Sequence, residues 1–181
     1  MVKESQHYGF FTVTGDKLRV TDPCYDHDSK LGVTLNNVRS GKWYADAVLI
    51  NKNDGWGTRV SDLTVYHESC HDINSSYTEY DQKPVIAVDS GQAGFYDVNA
   101  YPVKDKKEFY DTNCSLTLSE ILGGIVDGRG VAVSSGYGDG IYDLYYKEDN
   151  QGRIVAAKII FIMEESHAPR LKPGDSTVVT Y

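Results

Sequence analysis

Apolar and polar positions alternate over short runs along most of this chain, and clusters of glycine, proline, asparagine and aspartate separate the runs. A period of two predicts strands with one face in a core. Lys42-Trp-Tyr-Ala-Asp-Ala-Val-Leu-Ile50 alternates in part. After the turn signal Asn51-Lys-Asn-Asp-Gly-Trp-Gly57, Thr58 to Tyr66 resumes as a strand, so a hairpin is predicted there. Ile141 to Tyr146, a turn at Glu148 to Gly152 and the run Arg153 to Ile162 predict a C-terminal hairpin. Gly9 to Val13 and Lys17 to Thr21, on either side of Thr14-Gly15-Asp16, predict another. The second of these strands stops at Asp22-Pro23, where proline removes a ladder donor.

Helix signals are few. Thr117 as N-cap, Glu120 at the third helical position, the Leu116/Ile121 pair as staple and Gly123-Gly124 at the end predict one short helix. Asn99 to Asp111 is predicted as a second short helix or an ordered loop. The fold class expected is mainly β with a minor helical part: an antiparallel β-sandwich or partly closed barrel with one or two short helices. At this length the whole of residues 1–181 is expected to form a single domain, with 164–181 a loosely held tail beyond Met163.

Two glycine-rich segments stand out. Asp89-Ser-Gly-Gln-Ala-Gly-Phe-Tyr-Asp97 follows the apolar run Val85 to Val88, and Ser134-Ser-Gly-Tyr-Gly-Asp-Gly-Ile-Tyr-Asp143 follows Val131-Ala-Val133. Each reads as a strand that enters a glycine turn and leaves as another strand. Neither is a phosphate cradle, because no helix with a suitably placed lysine follows. Asp22, Tyr25, Asp89, Ser90, Gly91, Asp97, Tyr137, Asp139 and Tyr142 are the candidate ligand-binding residues, a polar and aromatic-edged set on or beside these loops.

Charge narrows the partners. With 26 acidic against 18 basic residues and a net charge of −8, a phosphate backbone would be repelled, so direct nucleic-acid binding is not expected. Lys104-Asp-Lys-Lys107 is the one basic concentration, and it carries its own Asp. The N-terminus lacks the apolar run of a secretion signal, and no run of eighteen apolar residues exists, so a cytoplasmic protein without membrane partners is expected. Cys24, Cys70 and Cys114 are widely spaced and expected as free thiols. Fourteen tyrosines fit strand faces, and Trp43 and Trp56 are expected as core anchors, with stacking on a ligand as the alternative role.

Two segments offer catalytic or metal chemistry. His67-Glu-Ser-Cys-His71 matches the H-E-x-x-H pattern, in which His67 and His71 would hold zinc on one helix face and Glu68 would activate a water. Its flanks read as strand and loop, whereas the motif needs a helix. Three aspartates and a histidine between Asp22 and Asp28 supply hard ligands without the spacing of a calcium loop. The sequence requires no cofactor.

Asp22-Pro-Cys-Tyr25, Val88-Asp-Ser-Gly-Gln-Ala-Gly94 and Gly136-Tyr-Gly-Asp-Gly140, with the start of the Ser40-Gly-Lys-Trp-Tyr44 strand and the closing Ile154-Val-Ala run, resemble a family of bacterial and phage proteins known as a domain of unknown function. The resemblance covers residues 10–162 and implies a compact β-rich domain without implying an activity. Three functions stay open. One is a non-enzymatic binding protein that presents both glycine loops to a small polar or nucleotide-like ligand or to a protein. Another is a phage-type acidic inhibitor acting on a host system. The third is a hydrolase, using zinc at His67, Glu68 and His71 or a thiol, Cys24 or Cys70, with a histidine.

Overall fold

The computed structural model describes residues 1–71 and 84–163. The tail expected at 164–181 lies outside the described residues. Among the described residues eleven strands form two antiparallel sheets, neither closed into a barrel. In chain order they are β1 (Val2–Val13), β2 (Lys17–Thr21), β3 (Val33–Asn36), β4 (Gly41–Asn51), β5 (Arg59–His67), β6 (Val85–Val88), β7 (Gln92–Asp97), β8 (Gly123–Val126), β9 (Gly130–Ser134), β10 (Gly140–Glu148) and β11 (Ile154–Ile160). The six-stranded sheet runs β1-β4-β5-β11-β10-β6, and the five-stranded sheet runs β3-β2-β7-β9-β8.

Alternation places the core. Trp43, Ala45, Ala47 and Leu49 of β4 point inward, and Phe11, Leu63, Leu144 and Ile159 join them from the same sheet. Leu18, Val20, Phe95 and Val131 face them from the second sheet, so both sheets share one core. Each fully buried large side chain contributes about 1.5–3 kcal/mol relative to exposure. Trp43 is fully buried, and its indole N–H donates to the Arg39 carbonyl at 2.8 Å, so its one polar atom is satisfied. Trp56 differs from the expectation. It is 59% exposed, because it lies on the turn between β4 and β5, outside the reach of either sheet.

Both hairpins expected over Lys42–Tyr66 and Ile141–Ile162 are present as β4–β5 and β10–β11. A bulge between Val48 and Leu49 leaves Ser61 unpaired in the β4–β5 ladder, and the Ser61 carbonyl instead accepts from the amides of Phe161 (2.8 Å) and Ile162 (3.0 Å). The expected hairpin at Thr14-Gly15-Asp16 does not form. β1 pairs with β4 while β2 pairs with β3 and β7, so this turn is a crossing between sheets. The polar first half of β1 and the short β3 carried too little apolar pattern to be read as strands.

The helix is displaced from its expected place. The helix α1 spans Lys107–Thr117, and a 3₁₀ turn covers Val98–Ala100. Thr117 closes α1 instead of opening it, because its buried hydroxyl donates to Gln92 Oε1 at 2.9 Å and so ties the helix end to β7. Leu122 then takes φ +58°, and Gly123-Gly124 begins β8. The helix packs on the outer side of the second sheet through a ring cluster: Tyr96, Tyr101 and Phe109 meet edge to face at 5.1–5.4 Å.

Candidate binding surface at the paired glycine corners

Both glycine segments turn the chain from one sheet into the other. The first carries it from β6 to β7 and the second from β9 to β10, in opposite directions. The strand entering each corner pairs with the strand leaving the other: β6 with β10, and β9 with β7. The corners therefore lie side by side, and the Ser135 amide donates to the Gly91 carbonyl at 2.9 Å. Gly91 adopts φ +70° and Gly136 φ +57°, values that a side-chain-bearing residue takes only with strain.

Asp22 fastens the first corner. Its buried carboxylate accepts from the amides of Asp89 (2.8 Å) and Ser90 (2.7 Å) through Oδ2. Through Oδ1 it accepts from the Ser90 hydroxyl (2.6 Å) and the Cys24 amide (2.8 Å). The reason is local: β2 pairs Thr21 with Gly94, so the residue after Thr21 arrives beside the entry to β7, and Pro23 ends the ladder there. Tyr142 braces the second corner, where its hydroxyl donates to the Gly138 carbonyl at 2.6 Å and its ring lies edge-on to Phe161 at 5.1 Å. Ser135 is buried, and its hydroxyl donates to the same Gly138 carbonyl at 2.8 Å.

Other side chains of the corners face outward. Asp89, Tyr137 and Asp139 are exposed and Tyr25 is half-buried. The Asp89 and Asp139 carboxylates have no hydrogen-bond or ion-pair partner among the described residues. Both belong to the surroundings of the Tyr25 hydroxyl, which burial, the Cys24 thiol and the carboxylates of Asp89, Asp22 and Asp139 push above its ordinary pKa. Of the nine candidate residues, then, Asp22, Tyr25, Asp89, Ser90, Gly91, Tyr137, Asp139 and Tyr142 gather at one edge of the molecule. Asp22 and Tyr142 are its frame, and Asp89, Tyr137 and Asp139 are its free surface.

Asp97 stands apart. It lies at the far end of β7, fully buried, and its carboxylate accepts from the Thr14 amide and hydroxyl (both 2.9 Å), Asn99 N (3.1 Å) and the Arg129 guanidinium. Burial pushes this carboxyl up, but Arg129 and the Thr14 and Asn99 donors outweigh it and hold it below the usual carboxylate range. Its role in the fold is to join the Thr14 turn to the β8–β9 turn.

No protein-family model, curated protein or solved structure matches the chain.

The segment His67 to His71 is the end of β5 and a turn, so the helix that its pattern requires is not formed. His67 Nε2 lies 3.0 Å from the Ser40 carbonyl and Nδ1 2.8 Å from the Ser69 hydroxyl, which engages both ring nitrogens. Among the described residues no group of three or more His, Cys, Asp or Glu side chains is placed to hold a metal ion. Burial and the Asp22 carboxylate push the Cys24 thiol up to about 12, leaving it protonated at neutral pH. No described helix is long and apolar enough to cross a membrane.

One exposed aromatic of this edge was not among the nine candidates. Trp56, from the β4–β5 turn, meets the Tyr137 ring at 5.8 Å and 79°. The only sign of it in the sequence is its position between Gly55 and Gly57 inside a turn signal, which places a large apolar side chain where a core cannot cover it.

Proposed function

We propose that this chain is a binding protein whose recognition surface is the edge formed by the two glycine corners, and that its partner is a protein presenting basic groups. The observation that carries this reading is the Ser135 to Gly91 hydrogen bond, which makes one edge of two distant segments and brings the carboxylates of Asp89 and Asp139 onto it. Asp22 and Asp97 are buried and bonded on several sides, so the fold accounts for them. The exposed pair is not accounted for in that way. Like charges on one edge without counter-charges among the described residues are mildly unfavourable, and a basic partner relieves that repulsion while steering the encounter. An open edge suits a protein surface better than a small nucleotide-like ligand, which is ordinarily enclosed by a cleft of about 300–1,000 Å³. The inhibitor reading is the special case in which the basic partner loses its activity when covered.

The test is affinity capture from a lysate, with the wild-type chain and the double variant Asp89→Asn/Asp139→Asn as parallel baits. Removing two rim charges should weaken the captured complex about tenfold and flatten its salt dependence. A control at Asp105→Asn/Glu108→Gln, exposed acids near the start of α1, should leave it unchanged. A partner held equally by all three baits would refute the assignment to this edge.

A further inference from the structure

The turn between β4 and β5 adds to this edge a group that the core does not use. Trp56 is 59% exposed and Tyr137 45% exposed, yet neither ring is left to rotate freely. They meet edge to face at 5.8 Å and 79°. Asp54 ties both together: its Oδ2 accepts from the Tyr137 hydroxyl at 3.2 Å, and its Oδ1 accepts from the Trp56 amide at 3.1 Å. The Arg59 guanidinium carbon lies 5.6 Å over the Trp56 ring, so a cation already occupies one face of this indole and a ligand would meet the opposite face.

The faces of aromatic rings carry negative potential, and two rings near a right angle with a carboxylate at their junction attract an organic cation. Desolvating a methylated or quaternary ammonium costs less than desolvating a small hydrated ion, because its charge is spread over alkyl carbon, whereas an unmodified lysine ammonium is compact and strongly hydrated. We propose that Trp56, Tyr137 and Asp54 form a binding site for an alkylammonium group. The inference rests on the reading above, in which the edge takes a basic partner, and it names the chemistry of one contact. A lysine or methylated-lysine side chain of that partner carries such a group, and so does a free quaternary amine. Asp139, two residues from Tyr137 and exposed, adds negative charge on the same loop.

The site is tested by titrating the full chain with choline and with 3,3-dimethylbutan-1-ol, an uncharged molecule of the same shape. Trp56 fluorescence and the NMR signal of its indole N–H are the readouts, and the buried Trp43 serves as internal reference. Saturable binding of choline on the order of millimolar is expected, with the alcohol at least about fivefold weaker. Trp56→Ala removes the reporter, so it is followed through the choline methyl signal by saturation-transfer NMR, which should show binding lost. Tyr137→Leu, followed through the Trp56 signal it leaves in place, should weaken binding. Equal binding of the two molecules, or none of either, overturns the proposal. N-acetyl-lysine amide and its trimethylated form, run beside choline, separate the sources: tighter binding of an amino-acid derivative supports a side chain of a partner, and tighter binding of choline supports a free amine. If choline is silent while partner capture still depends on Asp89 and Asp139, the cation site falls and the binding edge stands.

Discussion

Asp22 and Ser90, 68 positions apart, are joined twice: the carboxylate of one accepts both the amide (2.7 Å) and the hydroxyl (2.6 Å) of the other. With the amides of Cys24 and Asp89, four donors converge on one buried carboxylate, so the first glycine corner is anchored by a charge that the solvent does not reach. This arrangement makes the corner a consequence of the whole fold, because Asp22 is delivered by β2 of the second sheet and Asp89 follows β6 of the first.

Replacing Asp22 by asparagine should therefore destabilise the protein although the shape is nearly unchanged. The new NH2 group would face one pair of the four donors, and because only the Ser90 hydroxyl can turn to accept from it, at least one backbone amide loses its acceptor. A loss of about 2–4 kcal/mol is expected from the cost of such unmade bonds. Urea denaturation of Asp22→Asn against wild type measures it, and a change below about 1 kcal/mol would show that the corner holds without this anchor.

The two corners differ in how closely they are packed. At Gly91 the conformation alone excludes a side chain, since an added Cβ would meet nothing within 4 Å. At Gly136 the same Cβ would also lie 2.9 Å from Phe161 Cβ and 3.1 Å from Ile162 Cγ1. Alanine at Gly91 should cost about 1–2 kcal/mol from the left-handed backbone, whereas alanine at Gly136 adds overpacking of about 1–3 kcal/mol. Paired urea melts check the order, and equal losses would mean that the Phe161 side gives way.

Much of this was legible in the sequence because strands announce themselves locally. Trp43 to Leu49 and Ile141 to Tyr146 alternate, Arg153 to Ile162 is a nearly continuous apolar run, and those ladders are where the pattern places them. The β1–β2 turn was misread because Thr14-Gly15-Asp16 has good hairpin chemistry, and which sheet a strand joins is decided by packing far from the turn. Thr117 was misread for a similar reason: a capping residue at either end of a helix presents the same hydroxyl, and only the partner, here Gln92, tells them apart. That the two glycine segments lie side by side depends on two strand pairings that no local signal encodes. Asp22 and Asp97 showed equally polar chemistry in the sequence, and burial alone separates these anchors from the exposed Asp89 and Asp139.

Comparing wild type with an Arg129 variant in acid should isolate Asp97 from Asp149, the other carboxyl held low among the described residues. The folded pKa of Asp97 lies below the unfolded value of about 3.9, so folding favours the ionised form. The stabilisation this supplies is complete above the unfolded value and is lost as the pH falls through the folded one. Arg129→Met removes the largest of the contributions that together outweigh burial. The variant should be less stable near pH 7 by about 2–4 kcal/mol, with Asp97 left buried and short of a counter-charge. Between pH 5 and 2 it should lose less stability than wild type. Urea midpoints across that range test the sign, and parallel pH profiles for the two proteins would show that Asp97 does not supply the difference.

The two tryptophans separate fold from surface. Trp43 is fully enclosed between the sheets, packs edge-on to the His67 ring at 5.9 Å and bonds the Arg39 carbonyl, so truncation to alanine opens a cavity and orphans an acceptor. A cost of about 3–5 kcal/mol is expected. Trp56 forfeits only its edge-to-face contact with Tyr137 and the Arg59 guanidinium, so Trp56→Ala should cost about 0.5–1.5 kcal/mol. The same contrast should appear in quenching: acrylamide reaches an indole that is 59% exposed and not one at 0%. Trp56→Ala should therefore leave a blue-shifted emission that resists the quencher, from a protein that melts close to wild type. If that variant unfolds instead, the exposed indole supports the β4–β5 turn, and its role at the binding edge must be tested with Trp56→Phe, which keeps the ring contact.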